Sequence, residues 1–289
     1  MYEIVGKELL APSIYSMEIL APRVAKAALP GQFVIVIVDE NGERVPLTIC
    51  DFDVDKGTVT IVTQAMGSST KKLVAKEVGE SIKDFVGPLG KPSEFVNEDI
   101  EELRKKKLLL AGGGVGVAPL VPQAKWLAEH GVDFDILTGS KNKDFVILED
   151  KFRSITENLI IATDDGSYGF HGFVNSGIED LVVNQGRKYD AVIIIGPMIM
   201  MKFTSLTTKK LGLRSIVSLN PIMVDGTGMC GACRVTIDGE TKFACVDGPE
   251  FDGDLVDWDE ALRRQSQYKE EEIQKDHDYC ELVGGMTNE

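Results

Sequence analysis

The chain has 289 residues, which at roughly 100–200 residues per domain predicts about two domains and a small appendage. It is 43% hydrophobic and 27% charged, an ordinary globular composition, and its longest nearly apolar run, Ala191 to Met201, is far short of the ~20 residues a membrane-spanning helix needs. A net charge of −15 argues against a nucleic-acid partner, and the opening MYEIVGKELL lacks a secretory profile, so a cytoplasmic protein with no membrane contact is expected.

Residues 1–97 read as a β-rich unit. GQFVIVIVDE, RVPLTICDF and GTVTIVTQA are short β-branched runs bounded by turn residues, the pattern of a barrel or sandwich. A helix is predicted over SSTKKLVAKEV, entered by Ser68, Ser69 and Thr70 as caps. Gly87-Pro88-Leu89-Gly90 then punctuates the chain.

Residues 98–218 change rhythm. The apolar run LLLAGGGVGVAP is followed by a helical segment, LVPQAKWLAEHG, and by strands DFDILTGS, NLIIAT and DAVIIIG. Strands alternating with helix-length segments predict an α/β parallel-sheet domain. The glycine turn sits between a strand and a helix, the setting of a phosphate-binding turn. It nevertheless fails a strict G-x-G-x-x-G: from Gly112 the third position is Val117, and from Gly114 it is Pro119. Asp133 and Asp135 fall at the start of the next strand, not at its end, so no ribose-binding acid is visible. A turn made for packing alone explains this stretch equally well.

Residues 219–249 are Gly-rich and carry three of the five cysteines, an odd total that does not suggest a disulfide framework. The spacing from Asp225 through Cys230 and Cys233 to Cys245 is D-x4-C-x2-C-x11-C. It is the plant-type [2Fe–2S] spacing with a carboxylate in the first ligand place. Thiolates are soft anionic iron ligands and a carboxylate is an acceptable hard substitute. A structural zinc site is the alternative, but zinc loops usually present two paired ligand sets, and this loop has one. Cys50 and Cys280 read as a small buried hydrophobe and an incidental thiol.

Residues 250–289 predict one or two helices, with Asp257 or Asp259 as a cap. From Val246 to the end there are 14 acidic and 4 basic residues, which leaves 32 and 27 of the chain's 46 and 31 for everything before. This acidic helical tail is expected to contact a partner subunit.

Taken in order, an arginine-bearing strand, a Gly-Ser-Ser-Thr helix start, GPLG, GGGVGVAP, Gly196-Pro197-Met198 and a cysteine loop resemble the ferredoxin–NADP reductase superfamily. The loop is similar to that of its [2Fe–2S]-containing branch: the electron-transfer subunit of class 1B dihydroorotate dehydrogenase, and the small subunit of NADH-dependent reduced ferredoxin:NADP oxidoreductase, related to sulfide dehydrogenase. Asp225, where the dihydroorotate branch has a fourth cysteine, and the long tail favour the latter, an electron-bifurcating transhydrogenase.

The resemblance implies an antiparallel β-barrel FAD domain, an α/β NAD(H) domain, a small [2Fe–2S] segment and a helical tail. FAD would be held by Arg44, Val45, Pro46, Leu47 and Thr48, by Val62, Thr63 and Gln64, and by Gly67, Ser68, Ser69 and Thr70. NAD(H) would meet Gly113, Gly114, Val115 and Gly116, then Gly139 and Ser140, Asp165 and Gly166, and Gly196, Pro197 and Met198. The cluster ligands would be Asp225, Cys230, Cys233 and Cys245. The implied partner is a larger flavin/iron–sulfur subunit in a heterodimer, with ferredoxin reached through it. No catalytic acid, base or nucleophile is visible, and cofactor chemistry requires none.

Overall fold

The computed structural model describes residues 1–286 and the side chains of residues 1–281. Strands β1 (Tyr2–Ala11), β2 (Ile14–Leu20), β3 (Phe33–Ile37), β4 (Val45–Asp53), β5 (Thr58–Gln64), β6 (Ser81–Ile82) and β7 (Asp84–Leu89) form one sheet, with helices α1 (Pro22–Ala27) and α2 (Ser68–Val74) in its connections. The order is β6-β1-β2-β5-β4-β3-β7, with every pairing antiparallel. Its two edge strands are consecutive in sequence, separated by Lys83 alone, so the sheet curls round into a nearly closed barrel. Its core is the buried aliphatic set around Ile4, Met17, Ile19, Val36 and Ile61.

The second sheet contains β8 (Lys107–Gly113), β9 (Asp133–Ser140), β10 (Leu159–Thr163), β11 (Phe170–His171), β12 (Ala191–Ile195) and β13 (Arg214–Ser218). Helices α3 (Ile100–Leu103), α4 (Leu120–Glu129), α5 (Glu149–Ile155), α6 (Val174–Glu179) and α7 (Met198–Lys210) accompany it. These six strands pair in parallel in the order β11-β10-β9-β8-β12-β13. Two apolar layers cover the sheet's faces, as a buried parallel sheet requires. At the N-terminal end of β9, Asp135 is fully buried and held by Tyr189 Oη at 2.6 Å, Arg187 Nη1 at 2.7 Å and Lys107 Nζ at 3.1 Å. Burial works against its charge, and the three hydrogen bonds outweigh it, holding the carboxyl below its ordinary pKa.

The remaining elements are a hairpin of β14 (Arg234–Ile237) and β15 (Glu240–Phe243), the short α8 (Ala244–Asp247), β16 (Glu250–Asp252), α9 (Trp258–Gln265) and α10 (Lys269–Met286). Here the structure differs from the expected tail. β16 pairs antiparallel with β13, and Trp258 and Ala261 lie in the apolar layer beneath the sheet. The acidic charge hides this role, because only a few apolar residues of 250–265, Val256, Trp258 and Ala261, are buried. Asp257, one of the two expected caps, accepts from the Glu260 amide at 2.9 Å. α10 lies against α2 of the same chain, with Lys71 Nζ 2.7 Å from Asp276. Helix α2 is also shorter than expected: it stops at Val74, and its N-cap is Gly67. Thr70 reaches back to accept from the Met66 and Gly67 amides at 3.0 and 3.2 Å. Among the described residues no helix is long and apolar enough to cross a membrane.

The sheets meet at Glu250. Its buried carboxyl accepts from Ser93 Oγ at 2.8 Å and from Gln123 Nε2 at 2.8 Å. Among the described residues Glu250 Oε2 and Gln123 Oε1 have no partner. Burial pushes the Glu250 pKa up to about 7, against the opposing hydrogen bonds.

Two predictions arise from this packing. A folded pKa above the unfolded value of about 4.3 means that the native state holds the proton more tightly. The Glu250 contribution is therefore most favourable below about pH 4, falls as pH rises toward 7, and is flat above that. Glu250→Gln should flatten the melting temperature over this window and stabilise the chain at pH 8; an unaltered profile refutes the assignment. Truncation after Gly248 removes β16 and Trp258, a loss of about 3 kcal/mol or more for the aromatic alone, and should abolish cooperative melting of the parallel-sheet domain. Truncation after Ser266 should leave that transition within a few degrees, which calorimetry can check.

Candidate functional site

The cysteine segment leaves the sheet after Ser218 and returns at Glu250, and these two residues are paired in register. The Leu219 amide donates to the Pro249 carbonyl at 2.9 Å, closing the insertion at its neck. Leu219 and the hairpin residues Val235 and Ile237 join the apolar layer of the sheet that carries the segment, whereas its cysteine end packs elsewhere. Met223, Cys233, Ala244 and Cys245 pack with Phe33 and Ile35 of β3 in one cluster.

Arg44, just before β4, fastens the same loop: its Nε donates to the Val224 carbonyl at 2.6 Å and its Nη2 to the Asp225 carbonyl at 2.9 Å. Arg264 on α9 reaches the Ala232 carbonyl at 3.2 Å from the other side. The resemblance implies a flavin contact for Arg44; in the structure its Nε and Nη2 donate to the cysteine loop. No sequence signal tied positions so far apart.

Cys233 and Cys245 are buried with their sulfurs 3.2 Å apart, and Cys230 is exposed at the rim. Gly226 and Gly228 have φ of +82° and +86°, a left-handed backbone that lets the loop coil tightly before Cys230. One carboxylate oxygen of Asp225 accepts from the Thr227 amide at 2.9 Å, the Met229 amide at 3.3 Å and the Thr227 hydroxyl. These bonds, led by the Thr227 hydroxyl, hold the carboxyl below its usual range. Burial and the adjacent Cys233 sulfur push the Cys245 thiol up, so a metal must displace its proton.

Among the described residues no three His, Cys, Asp or Glu side chains converge on one point. A tetrahedral zinc needs four donors around a single centre. A two-iron cluster spreads its four donors over two metals. The close pair Cys233–Cys245 with Cys230 and Asp225 on the same segment supplies three thiols and one carboxylate, a donor set whose chemistry suits a two-iron cluster.

Beside this loop, Val45–Thr48 form the first half of β4, half-buried, and pair with β3 (Phe33↔Thr48, Val34↔Leu47, Ile35↔Pro46). On the next strand Val62 and Thr63 are buried and Gln64 is partly exposed. Gly67 opens α2 with nothing within 4 Å of a Cβ built on it, and Ser69 Oγ donates to Glu43 at 2.6 Å.

The glycine turn lies where the strand order reverses, between the C-terminal ends of β8 and β12. This is the crevice in which open α/β sheets bind ligands. The structure separates its glycines by task. A Cβ on Gly116 would lie 2.5 Å from Gly196 Cα, and one on Gly113 would lie 2.2 Å from Met200 Sδ. These two let the turn and Gly196-Pro197-Met198 pack together. Gly114 alone has φ +57° with open space around its Cβ position. Gly114, Gly139 and Ser140 line one small cleft. Asp165 and Gly166 belong to the turn after β10, where Asp165 accepts from the Ser167 amide at 2.9 Å. Met198 is buried at the start of α7, so its side chain belongs to the core.

Residues 220–257 match the iron–sulfur cluster binding domain of dihydroorotate dehydrogenase B. The chain is 62% identical over 272 residues (94% of it, 92% of the relative) to a Clostridium beijerinckii chain described as an uncharacterized protein in the adh 3' region. It is 47% identical over 270 residues (93% and 92%) to the Thermotoga maritima dihydroorotate dehydrogenase B (NAD(+)) electron transfer subunit homolog. Among solved structures, it overlays a chain of the NADH-dependent reduced ferredoxin-NADP oxidoreductase, determined for flavin-based electron bifurcation, with a TM-score of 0.88 and 45% identity, covering 96% of this chain and 98% of that one. With identity of this level over nearly the whole length, the chain belongs to the family of dihydroorotate dehydrogenase B electron-transfer subunits and their homologues.

Proposed function

We propose that the chain is the flavin- and cluster-bearing electron-transfer subunit of an NADH-dependent reduced ferredoxin:NADP oxidoreductase. It exchanges electron pairs with NAD(H) and single electrons with a larger flavin/iron–sulfur partner subunit. The observation that carries this reading is the seating of the cysteine segment on β3 and Arg44, beside the half of β4 assigned to the flavin. The likeness over 96% of the chain to that oxidoreductase supports it. The match of residues 220–257 favours a second reading, the electron-transfer subunit of a dihydroorotate dehydrogenase; identification of the co-purifying subunit separates the two.

When bound, FAD supplies exchange of two electrons with nicotinamide and of one with a [2Fe–2S] cluster. The chain's residues hold and separate these groups. Asp225, Cys230, Cys233 and Cys245 would hold the cluster, with Cys233 and Cys245 as its buried ligands. Arg44 and Arg264 fix the loop by its carbonyls, leaving the donor side chains free. The half-buried stretch Val45–Thr48, Val62–Gln64 and the start of α2 are assigned to FAD. Gly114, with Gly139, Ser140, Asp165 and Gly166, is assigned to the nucleotide, while Gly113, Gly116 and Met198 shape the crevice by packing.

Anaerobically prepared Cys233→Ser and Cys245→Ser should lose most of their iron and visible cluster absorbance. Asp225→Cys should keep its iron with an altered reduction potential in an EPR-monitored titration. Iron content unaffected by Asp225→Ala would remove Asp225 from the donor set. Arg44→Ala gives up two charge-assisted hydrogen bonds, each worth ~1.5–3 kcal/mol at most, and should lower cluster retention about tenfold while flavin content holds. Loss of flavin with iron intact would return Arg44 to the flavin site.

A further inference from the structure

Asp51 lies on β4, three residues beyond Thr48, and takes no part in the site described above. Its carboxylate accepts from Lys125 Nζ at 2.8 and 2.7 Å and lies 2.6 Å from Lys151 Nζ. Lys125 belongs to α4, the helix that follows the glycine turn, and Lys151 to α5. The Asp51 side chain is 16% exposed, against 40% and 32% for the two lysines. Burial alone would favour protonation; the hydrogen bonds from Lys125 and Lys151 outweigh it and keep Asp51 ionised. One carboxylate of the barrel thus grips two helices of the parallel-sheet domain.

The position matters more than the charge count. Three residues of strand place Asp51 about 10 Å from Thr48, and five residues of helix place Lys125 about 8 Å from the start of α4. The triad therefore bridges the strand assigned to the flavin and the helix behind the nucleotide turn. Two residues before Lys125, Gln123 is held by Ser93 at 3.1 Å and Glu250 at 2.8 Å. At about 100° per residue these two anchors face nearly opposite sides of α4, so the helix is held against both translation and roll.

We propose that Asp51 is a positioning residue: by gripping Lys125 and Lys151 it sets the approach of nicotinamide to flavin without touching either. This rests on the reading of the chain as a flavin- and nicotinamide-linked electron carrier. A misplacement of about 1 Å at a reacting centre can cost as much as 100-fold in rate, so slack in this bridge reaches the chemistry even where the fold survives.

The test uses the anaerobic holo-complex carrying Asp51→Asn, which keeps the side-chain shape, and Asp51→Glu, which keeps the charge. Rapid mixing with NADH gives the limiting rate of flavin reduction and the NADH Kd. Titration of the reduced complex with NAD+ gives the long-wavelength charge-transfer absorbance, a measure of ring stacking independent of turnover. The expected result is a fall of about tenfold or more in limiting rate for Asp51→Asn, with weakened charge-transfer absorbance, flavin, iron and NADH Kd within about twofold of wild type, and partial recovery in Asp51→Glu. A wild-type rate and absorbance in Asp51→Asn overturns the proposal. So does a loss that tracks flavin or iron content, which would make the triad merely structural. Failure of the wild-type complex itself to be reduced by NADH would sink the functional reading instead, so the two failures are distinguishable.

Discussion

The site depends on one constraint: the cysteine segment has no core of its own. It leaves and re-enters one sheet at neighbouring residues, Ser218 and Glu250, and its hairpin joins that sheet's apolar layer through Val235 and Ile237, while its cysteine end depends on other elements. Its shape comes from Phe33 and Ile35 of the barrel, from Arg44 on the Val224 and Asp225 carbonyls, and from Arg264 on the Ala232 carbonyl. A short glycine-rich loop cannot bury enough apolar surface to offset its own ordering entropy. Borrowed surface, together with a bound metal, supplies what it lacks.

The same borrowing ties the two sheets together. Met223 and Cys245 sit on β3, β3 pairs with the Val45–Thr48 half of β4, and the far half of β4 carries Asp51 into contact with α4 and α5. Glu250, at the exit of the insertion, meets Gln123 on the same α4. The cysteine loop, the barrel strand and α4 are therefore successive links in one chain of contacts.

Much of this was legible in the sequence. Alternating β-branched runs marked β3, β4 and β5, and the strand–turn–helix rhythm marked β8 to α4, because both signals are local. The D-x4-C-x2-C-x11-C spacing was equally local. What was hidden was long-range. No pattern links Arg44 to Val224 or Asp51 to Lys125, since a hydrogen bond or ion pair between residues so far apart in sequence leaves no period. The tail misled for a related reason: its charge was read as a separate unit, whereas the three inward residues Val256, Trp258 and Ala261 place it beneath the sheet.

The glycine turn shows why a motif can fail as a pattern and still stand in the right place. A strict fingerprint assigns each glycine a fixed task at a fixed spacing. Here the close approach falls to Gly116, which lies against Gly196 with no room for a Cβ, and the left-handed turn falls to Gly114, open to solvent. Both tasks of the motif are present, but they are met by a different partner strand, through the Gly196-Pro197-Met198 turn after β12. What a nucleotide needs is exposed backbone at the point where the strand order reverses. The order β9-β8-β12-β13 supplies that point whatever the spacing of the glycines, so topology, more than the motif, marks this crevice as the candidate nucleotide site.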